Sequence, residues 1–312
     1  MPPSINYDSP QEIRAFLEKN GLGMRKHFGQ NFLINPGARS RLLDALEIVP
    51  GDPVWEVGPG LGAMTAGLLE RGAKVRAFEI DTGFIKALGE FFGDNPDFTL
   101  IPGDVFKTWP ETPAGPANQA ANFLGNLPYN IAAALLADLI EKNRLFTRMV
   151  VTVQREVARR ICASAGSEDY SSISVLCASA YTIKPLMVLK GASFYPAPRV
   201  DSQGIRFDIR TDIAPQAYPP LFRPLVRGLF ASRRKTVKNN LQSFILSGII
   251  HPKEFQGAGK KPVQELALGL LETCGIDPNE RAENLGISEF SALAAALTQE
   301  IPGGNDGDRR GS

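Results

Sequence analysis

Between residues 54 and 153, short apolar runs alternate with stretches of helical periodicity, and few folds accommodate that rhythm. Strands are expected at 54–57, 74–80, 98–101, 123–125 and 149–153. Helices are expected between and after them at 64–70, 83–92, 132–143 and 155–163. Strand and helix trading places at this spacing imply a parallel, doubly wound α/β sheet. A helix at 173–181 and two closing strands at 184–189 and 205–209 complete the region. Upstream, Ser9-Pro10-Gln11-Glu12 carries a capping-box signature with Pro at the first helical position. It predicts a helix over 12–20 stopped by Gly21, and a second helix is expected over 37–46.

The rhythm changes near Asp212. A joint containing Pro215, Pro219, Pro220 and Pro224 leads into sequence that reads as helix with no strand pattern. We therefore expect an α/β domain over 1–211 with an N-terminal helical extension, then a small all-helical domain over 212–301. The polar stretch 302–312 lacks large apolar groups and is expected to be disordered. A chain of 312 residues favours two domains.

Composition narrows the chemistry. The chain is 43% apolar and 21% charged, ordinary for a soluble globular protein. A net charge of +1 says nothing about nucleic acid, so the distribution of charge has to. Cys162, Cys177 and Cys274 are too scattered for a zinc site and too few for a disulfide framework. They read as small hydrophobes in a reducing compartment. His27 and His251 lie far apart, so neither histidine catalysis nor a metal is expected. No apolar run approaches a membrane span, and the N-terminus lacks the pattern of a secretory or transit peptide. A cytoplasmic protein is expected, and with no strong dimerisation signal, a monomer.

Three successive strand ends carry candidate binding groups. At the first, Glu56-Val57-Gly58-Pro59-Gly60-Leu61-Gly62 lets backbone approach a ligand without a Cβ in the way. The Gly-x-Gly-x-Gly spacing is not that of dinucleotide binders, and Glu56 is a poor neighbour for pyrophosphate. A cationic ligand such as S-adenosylmethionine suits it better, with a dehydrogenase as the alternative from this part alone. At the second, Glu79 offers a carboxylate to ribose hydroxyls, ahead of Asp81; at the third, Asp104 can accept from an adenine amine. The fourth strand delivers Asn126-Leu127-Pro128-Tyr129. Pro128 stiffens the turn. The Asn126 side-chain oxygen and the Leu127 carbonyl can both accept from one exocyclic amine, while Tyr129 lies against the ring that bears it. Two acceptors favour a pyramidal, more nucleophilic nitrogen and stabilise charge as a new bond forms. Read alone, the tetrapeptide is also an ordinary Asn-Xaa-Pro turn.

The ordered set resembles the ribosomal RNA adenine dimethyltransferases, specifically the small-subunit type linked to kasugamycin sensitivity. Besides the motifs above, it includes Phe28-Gly29-Gln30-Asn31-Phe32-Leu33, Gln154-Arg155-Glu156-Val157-Ala158 and Phe194-Tyr195-Pro196-Ala197-Pro198-Arg199-Val200-Asp201-Ser202. It continues through Arg233-Arg234-Lys235-Thr236-Val237-Lys238-Asn239-Asn240-Leu241 and Arg281-Ala282-Glu283-Asn284-Leu285. The resemblance implies a Rossmann-like S-adenosylmethionine-dependent methyltransferase sheet followed by a helical RNA-binding domain. It implies that Asn31 and Leu33 wrap the methionine side of the cofactor, and that Gly58 and Gly60 belong to its cradle. Glu79 would hold the ribose, Asp104 would meet the adenine, and Asn126 would border both cofactor and target amine. Phe194 would wall the base slot opposite Tyr129. Arg199 stands where the family commonly has lysine, keeping the charge but not the hydrogen-bond geometry.

A basic stretch follows. Arg223, Arg227, Arg233, Arg234, Lys235 and Lys238, with Lys253, Lys260 and Lys261, share a segment whose only acid is Glu254. On an unbroken helix Arg223, Arg227, Arg234 and Lys238 would form one stripe, which reads as a phosphate-tracking surface. Gly228 or Ser232 are the places where such a helix would break. Gln154-Arg155-Glu156 with Arg159 and Arg160 reads equally as a second RNA strip or a plain solvated helix. The expected activity is dimethylation of two adjacent adenosines near the 3′ end of small-subunit rRNA within an immature subunit. The alternatives are a large-subunit adenine methyltransferase of the macrolide-resistance type and an assembly factor that acts mainly by binding.

Overall fold

The computed structural model describes residues 5–22, 31–113, 121–212, 218–247 and 260–300. The chain divides into two compact units, Met1–Arg159 with Tyr181–Ile209, and Arg160–Ala180 with Arg210–Ser312. The expected tail over 302–312 and both histidines lie outside the described residues.

In the first unit, α1 (Pro10–Lys19) precedes β1 (Phe32–Leu33), α2 (Pro36–Asp44), β2 (Pro53–Val57), α3 (Ala63–Glu70), β3 (Lys74–Glu79) and α4 (Thr82–Phe92). Then come β4 (Phe98–Pro102), α5 (Val105–Thr108), β5 (Asn122–Asn126), α6 (Ala132–Glu141), β6 (Arg148–Gln154) and α7 (Arg155–Ile161), which ends in the second unit. The Ser9 hydroxyl accepts from the Glu12 N–H, so α1 begins two residues earlier than expected. The reciprocal half of the box is shifted: the Glu12 carboxylate accepts from Asn6 N–H rather than from Ser9.

After α8 (Ser172–Ala180) in the second unit, the chain returns with β7 (Tyr181–Leu189), β8 (Phe194–Tyr195) and β9 (Ser202–Ile209). The seven-stranded sheet runs β4-β3-β2-β5-β6-β9-β7. Five strands are parallel, as expected. β9 pairs antiparallel with both β6 and β7, so the sheet is mixed rather than wholly parallel. No helix crosses over between β7 and β9, and a chain that simply turns back must pair antiparallel. Tyr181 opens β7 instead of ending the preceding helix. Pro185 falls beside a register shift on this outermost strand, where a missing N–H costs least.

β2 is buried along its whole length, as a strand covered on both faces must be. One face carries Val54, Val75, Ala77, Leu124 and Val150 against α2 and α3. On the other, the Trp55 ring meets Phe78 and Phe146 at 4.8 and 5.3 Å between centroids. β1 and β8 form a separate two-stranded ribbon that periodicity could not reveal, since each strand has two residues.

The second unit contains α8, α9 (Phe222–Leu229), α10 (Val237–Leu246), α11 (Lys260–Thr273) and α12 (Ile287–Glu300). Residues 160–180, expected in the α/β domain, group with the helices instead. Tyr170 supplies the physical reason: its hydroxyl donates to the Leu285 carbonyl at 3.1 Å and its ring meets Phe230. Gly228 lets α9 and α10 touch, since a Cβ there would come within 2.4 Å of the Phe244 ring. Asn240, buried in α10, donates to the carbonyls of Leu229 and Ser232 at 2.8 and 3.0 Å, closing the turn between the helices. Asn240→Leu leaves both carbonyls without that donor and should destabilise this unit by about 1–3 kcal/mol, read as a lower urea midpoint.

Candidate active site

At the carboxyl edge of the sheet the connections diverge: β2 leads toward β3 and β4 on one side, while β5 and β6 lie on the other. Open α/β sheets bind ligands at such a switch point. A cavity of about 520 Å³ lies there, lined by the ends of β2, β3 and β5 and by the turn after β4.

The glycine loop forms its floor. Gly58, Gly60 and Gly62 all have φ in the left-handed region, at 72°, 59° and 88°. A Cβ at Gly62 would come within 2.4 Å of the Phe92 ring, so packing as well as backbone demands glycine there. Glu56 is 2% exposed yet faces the cavity, its carboxylate accepting from the Thr65 hydroxyl at 2.6 Å. Burial raises its pKa to about 7, against the opposing effect of Thr65. Glu79 accepts from the backbone N–H groups of Gly60, Ile80 and Asp81 at 3.2, 2.8 and 2.9 Å. Burial nevertheless raises its pKa to about 7 as well. Asp81 is spent elsewhere, capping α4 through the N–H groups of Gly83 and Phe84. Asp104 caps α5 through the Phe106 N–H and also lines the cavity.

Asn31, Leu33, Gly58, Gly60, Glu79, Asp104, Asn126 and Pro128, all singled out from sequence, line this one cavity. Leu127 does not: it is buried, packed so tightly that a Cβ on Gly125 would meet its Cδ2 at 2.6 Å. Tyr129 lies outside the cavity, half-buried, sharing a hydrogen bond with the Ser202 hydroxyl at 2.7 Å. Phe194 departs most from expectation. Its pairing with Leu33 in the β1–β8 ribbon turns the ring into the core, where it is 3% exposed and presents little face for stacking.

The N-terminal extension was not anticipated as part of the site. Tyr7 and Ile13 line the cavity, and the Tyr7 hydroxyl donates to the Leu61 carbonyl at 2.9 Å. Burial, reinforced by Glu56, holds the Tyr7 pKa well above its ordinary value. Thr152 was also missed: its hydroxyl bonds the Asn126 side-chain oxygen, while the Asn126 amide nitrogen donates to the Asn31 carbonyl at 2.9 Å. Only tertiary proximity could reveal a partner 26 residues away. Among the described residues lining the cavity there is no Lys, Arg or His, and three are carboxylates.

The expected basic stripe is broken. α9 ends at Leu229 and α10 starts at Val237, so Arg223 and Arg227 do not share a helix with Arg234 and Lys238. Arg227, Arg233, Arg234 and Lys235 are exposed, whereas Arg223 and Lys238 are half-buried. Arg233 donates to the Glu168 carbonyl at 2.7 Å and pairs with Glu283 at 3.3 Å, which ties it into its own unit. Lys253 and Glu254 lie outside the described residues.

No described helix is long and apolar enough to cross a membrane, and no described cluster of His, Cys, Asp and Glu could hold a metal ion.

Residues 21–266 match the family model for ribosomal RNA adenine dimethylase. The chain is 43% identical over 292 residues to ribosomal RNA small subunit methyltransferase A of Treponema denticola, covering 93% of this chain and 94% of that protein. It is 34% identical over 286 residues to the protein of that name in Geobacter metallireducens, covering 90% and 98%. In fold it is similar to a dimethyladenosine transferase from Plasmodium falciparum, with a TM-score of 0.70 at 24% identity, over 85% of this chain and 97% of that one. The 23S rRNA methyltransferase ErmE gives a TM-score of 0.56 at 21% identity, over 86% and 99%. With a family model spanning most of its length and relatives aligned nearly end to end, this chain belongs to the ribosomal RNA adenine dimethylase family.

Proposed function

We propose that the protein uses S-adenosylmethionine to dimethylate the exocyclic amines of two adjacent adenosines near the 3′ end of small-subunit rRNA, acting on an immature subunit in the cytoplasm. The observation that carries the reading is a cavity lined by three carboxylates and no described basic side chain, with Asn126 on its wall. Such a lining repels pyrophosphate, which argues against a dinucleotide, and favours a ligand that is positive where it meets Glu56. The cavity also falls within the range of small-molecule sites, about 300–1,000 Å³. The residues therefore fit S-adenosylmethionine.

Bound there, the cofactor supplies an electrophilic methyl group on a sulfonium. Glu79 would take the ribose hydroxyls, Asp104 the adenine amine, and Asn31, Leu33, Gly58 and Gly60 the remainder. Asn126 and the Leu127 carbonyl hold the target amine by its protons, leaving the nitrogen lone pair directed away from the ring. Tyr129 supplies a stacking face, worth about 1–3 kcal/mol toward holding an extruded base. Phe194 is assigned the opposite wall, a role that asks its nearly buried ring to be uncovered as the base enters. In the helical unit, exposed Arg227, Arg234 and Lys235 are assigned to RNA phosphates, with Arg223, Arg233 and Lys238 as supporting charges. The small-subunit relatives, aligned over more than nine-tenths of each chain in the first case, favour that target over the large subunit.

Label transfer and three further measurements test the reading. Methyl-labelled cofactor incubated with small subunits lacking dimethyladenosine should place label in small-subunit rRNA; label only in large-subunit rRNA, or binding without transfer, would overturn it. Asn126→Ala should lower turnover by about 10²-fold or more while changing cofactor affinity far less.

The second measurement concerns pH. Folding raises the Glu56 and Glu79 pKa values from 4.5 to about 7, so their contribution to stability is lost as pH rises across that window. A cationic ligand prefers both groups ionised. Cofactor affinity, followed by calorimetry, should therefore strengthen between pH 6 and 8 (about a unit either side of the shifted values), and Glu56→Gln should flatten that rise. In the third, Arg234→Ala with Lys235→Ala should weaken RNA binding and reduce the slope of log affinity against log salt by about 1–2.

A further inference from the structure

Building on that catalytic reading, we propose that Thr152 and Ser202 are positioning residues for the reaction. Two buried hydroxyls on neighbouring strands fix the amide and the ring at opposite ends of Asn126-Leu127-Pro128-Tyr129.

The orientation of the Asn126 amide follows from its partners. A backbone carbonyl only accepts, so the amide nitrogen must face the Asn31 oxygen, 2.9 Å away. The amide oxygen therefore faces Thr152, whose hydroxyl has to donate to it. An amide oxygen has two lone pairs, and Thr152 takes one. The other remains for a target amine, which needs an acceptor and would be repelled by an amide turned the other way. Thr152 grips the backbone as well, its carbonyl accepting from the Leu127 N–H at 3.2 Å.

Ser202 plays the matching part for Tyr129 through the 2.7 Å hydrogen bond between their hydroxyls. Strand register links the two devices. Thr152 lies opposite Asn126 across the β5–β6 pair, and Ser202 lies opposite Gln154, two residues farther along β6. Thr152 is 3% and Ser202 1% exposed. Buried hydroxyls most often bond to nearby backbone; these two instead reach side chains 26 and 73 residues away, both within the tetrapeptide. The distance between amide and ring is thus set by the β6–β9 ladder rather than by the turn alone.

Thr152→Val, Thr152→Ser and Ser202→Ala in the full-length protein test this. The assays are steady-state methyl transfer to immature small subunits, cofactor affinity, thermal midpoint, and the NMR signals of the Asn126 side-chain amide, assigned by their loss in Asn126→Ala. Thr152→Val should lower kcat by about 10–100-fold, the scale of a misplaced reacting group, with KM and cofactor affinity within about twofold. The Asn126 amide signals should shift or broaden, and Thr152→Ser should restore both readouts. Ser202→Ala should act mainly on KM for RNA, and combining it with Tyr129→Phe should add little further loss. Wild-type turnover in Thr152→Val, or lost turnover with unchanged amide signals, overturns the proposal. If the wild-type protein transfers no methyl while the amide responds as expected, the pinning stands and the proposed activity falls.

Discussion

Two carboxylates held out of water at the edge of a buried sheet, with no described basic side chain in the cavity wall, set the character of this protein. Desolvation of a charged group is costly, and here it is only partly offset, by the Thr65 hydroxyl at Glu56 and by three backbone N–H groups at Glu79. The pKa values of both groups rise accordingly. A site strained in this way favours positive charge and disfavours phosphate.

The sheet makes that arrangement affordable. β2 is buried along its length and flanked by β3 and β5, so Glu56, Glu79 and Asn126 arrive at one edge on adjacent, rigid strands. The residues after each strand then do local work. Asp81 and Asp104 each cap the helix that follows, and Asp104 also lines the cavity. Tyr7 and Ile13 from the N-terminal extension close another part of the wall. The chain's beginning, though remote in sequence, is thus part of the site.

Much of the α/β unit was legible because its signals are local. Apolar runs of four to seven residues, glycine at turns and Pro after a cap each report on backbone a few residues away. Ser9 starts its helix as such a signal implies. Failures occurred where distant contacts decided the outcome. Residues 160–180 look like one more helical connection, but Tyr170 binds Leu285, over a hundred residues later. The basic stripe required one continuous helix, and the turn closed by Asn240 ends that helix early. Nothing local foretold that Phe194 pairs with Leu33 and turns into the core, so its assigned role asks the ring to be uncovered.

The sequence by itself determined the order of the seven sheet strands and most helices between them, the glycine loop, and which residue types stand at each strand end. Those follow from periodicity and from the narrow backbone preferences of Gly and Pro, which act over a few residues. Only the tertiary structure decided that the last two sheet strands run antiparallel, that the N-terminal helix borders the cavity, and that Thr152 and Ser202 hold Asn126 and Tyr129. A hydrogen bond between side chains acts over about 3 Å, and which distant hydroxyl comes that close is fixed by packing of the whole sheet.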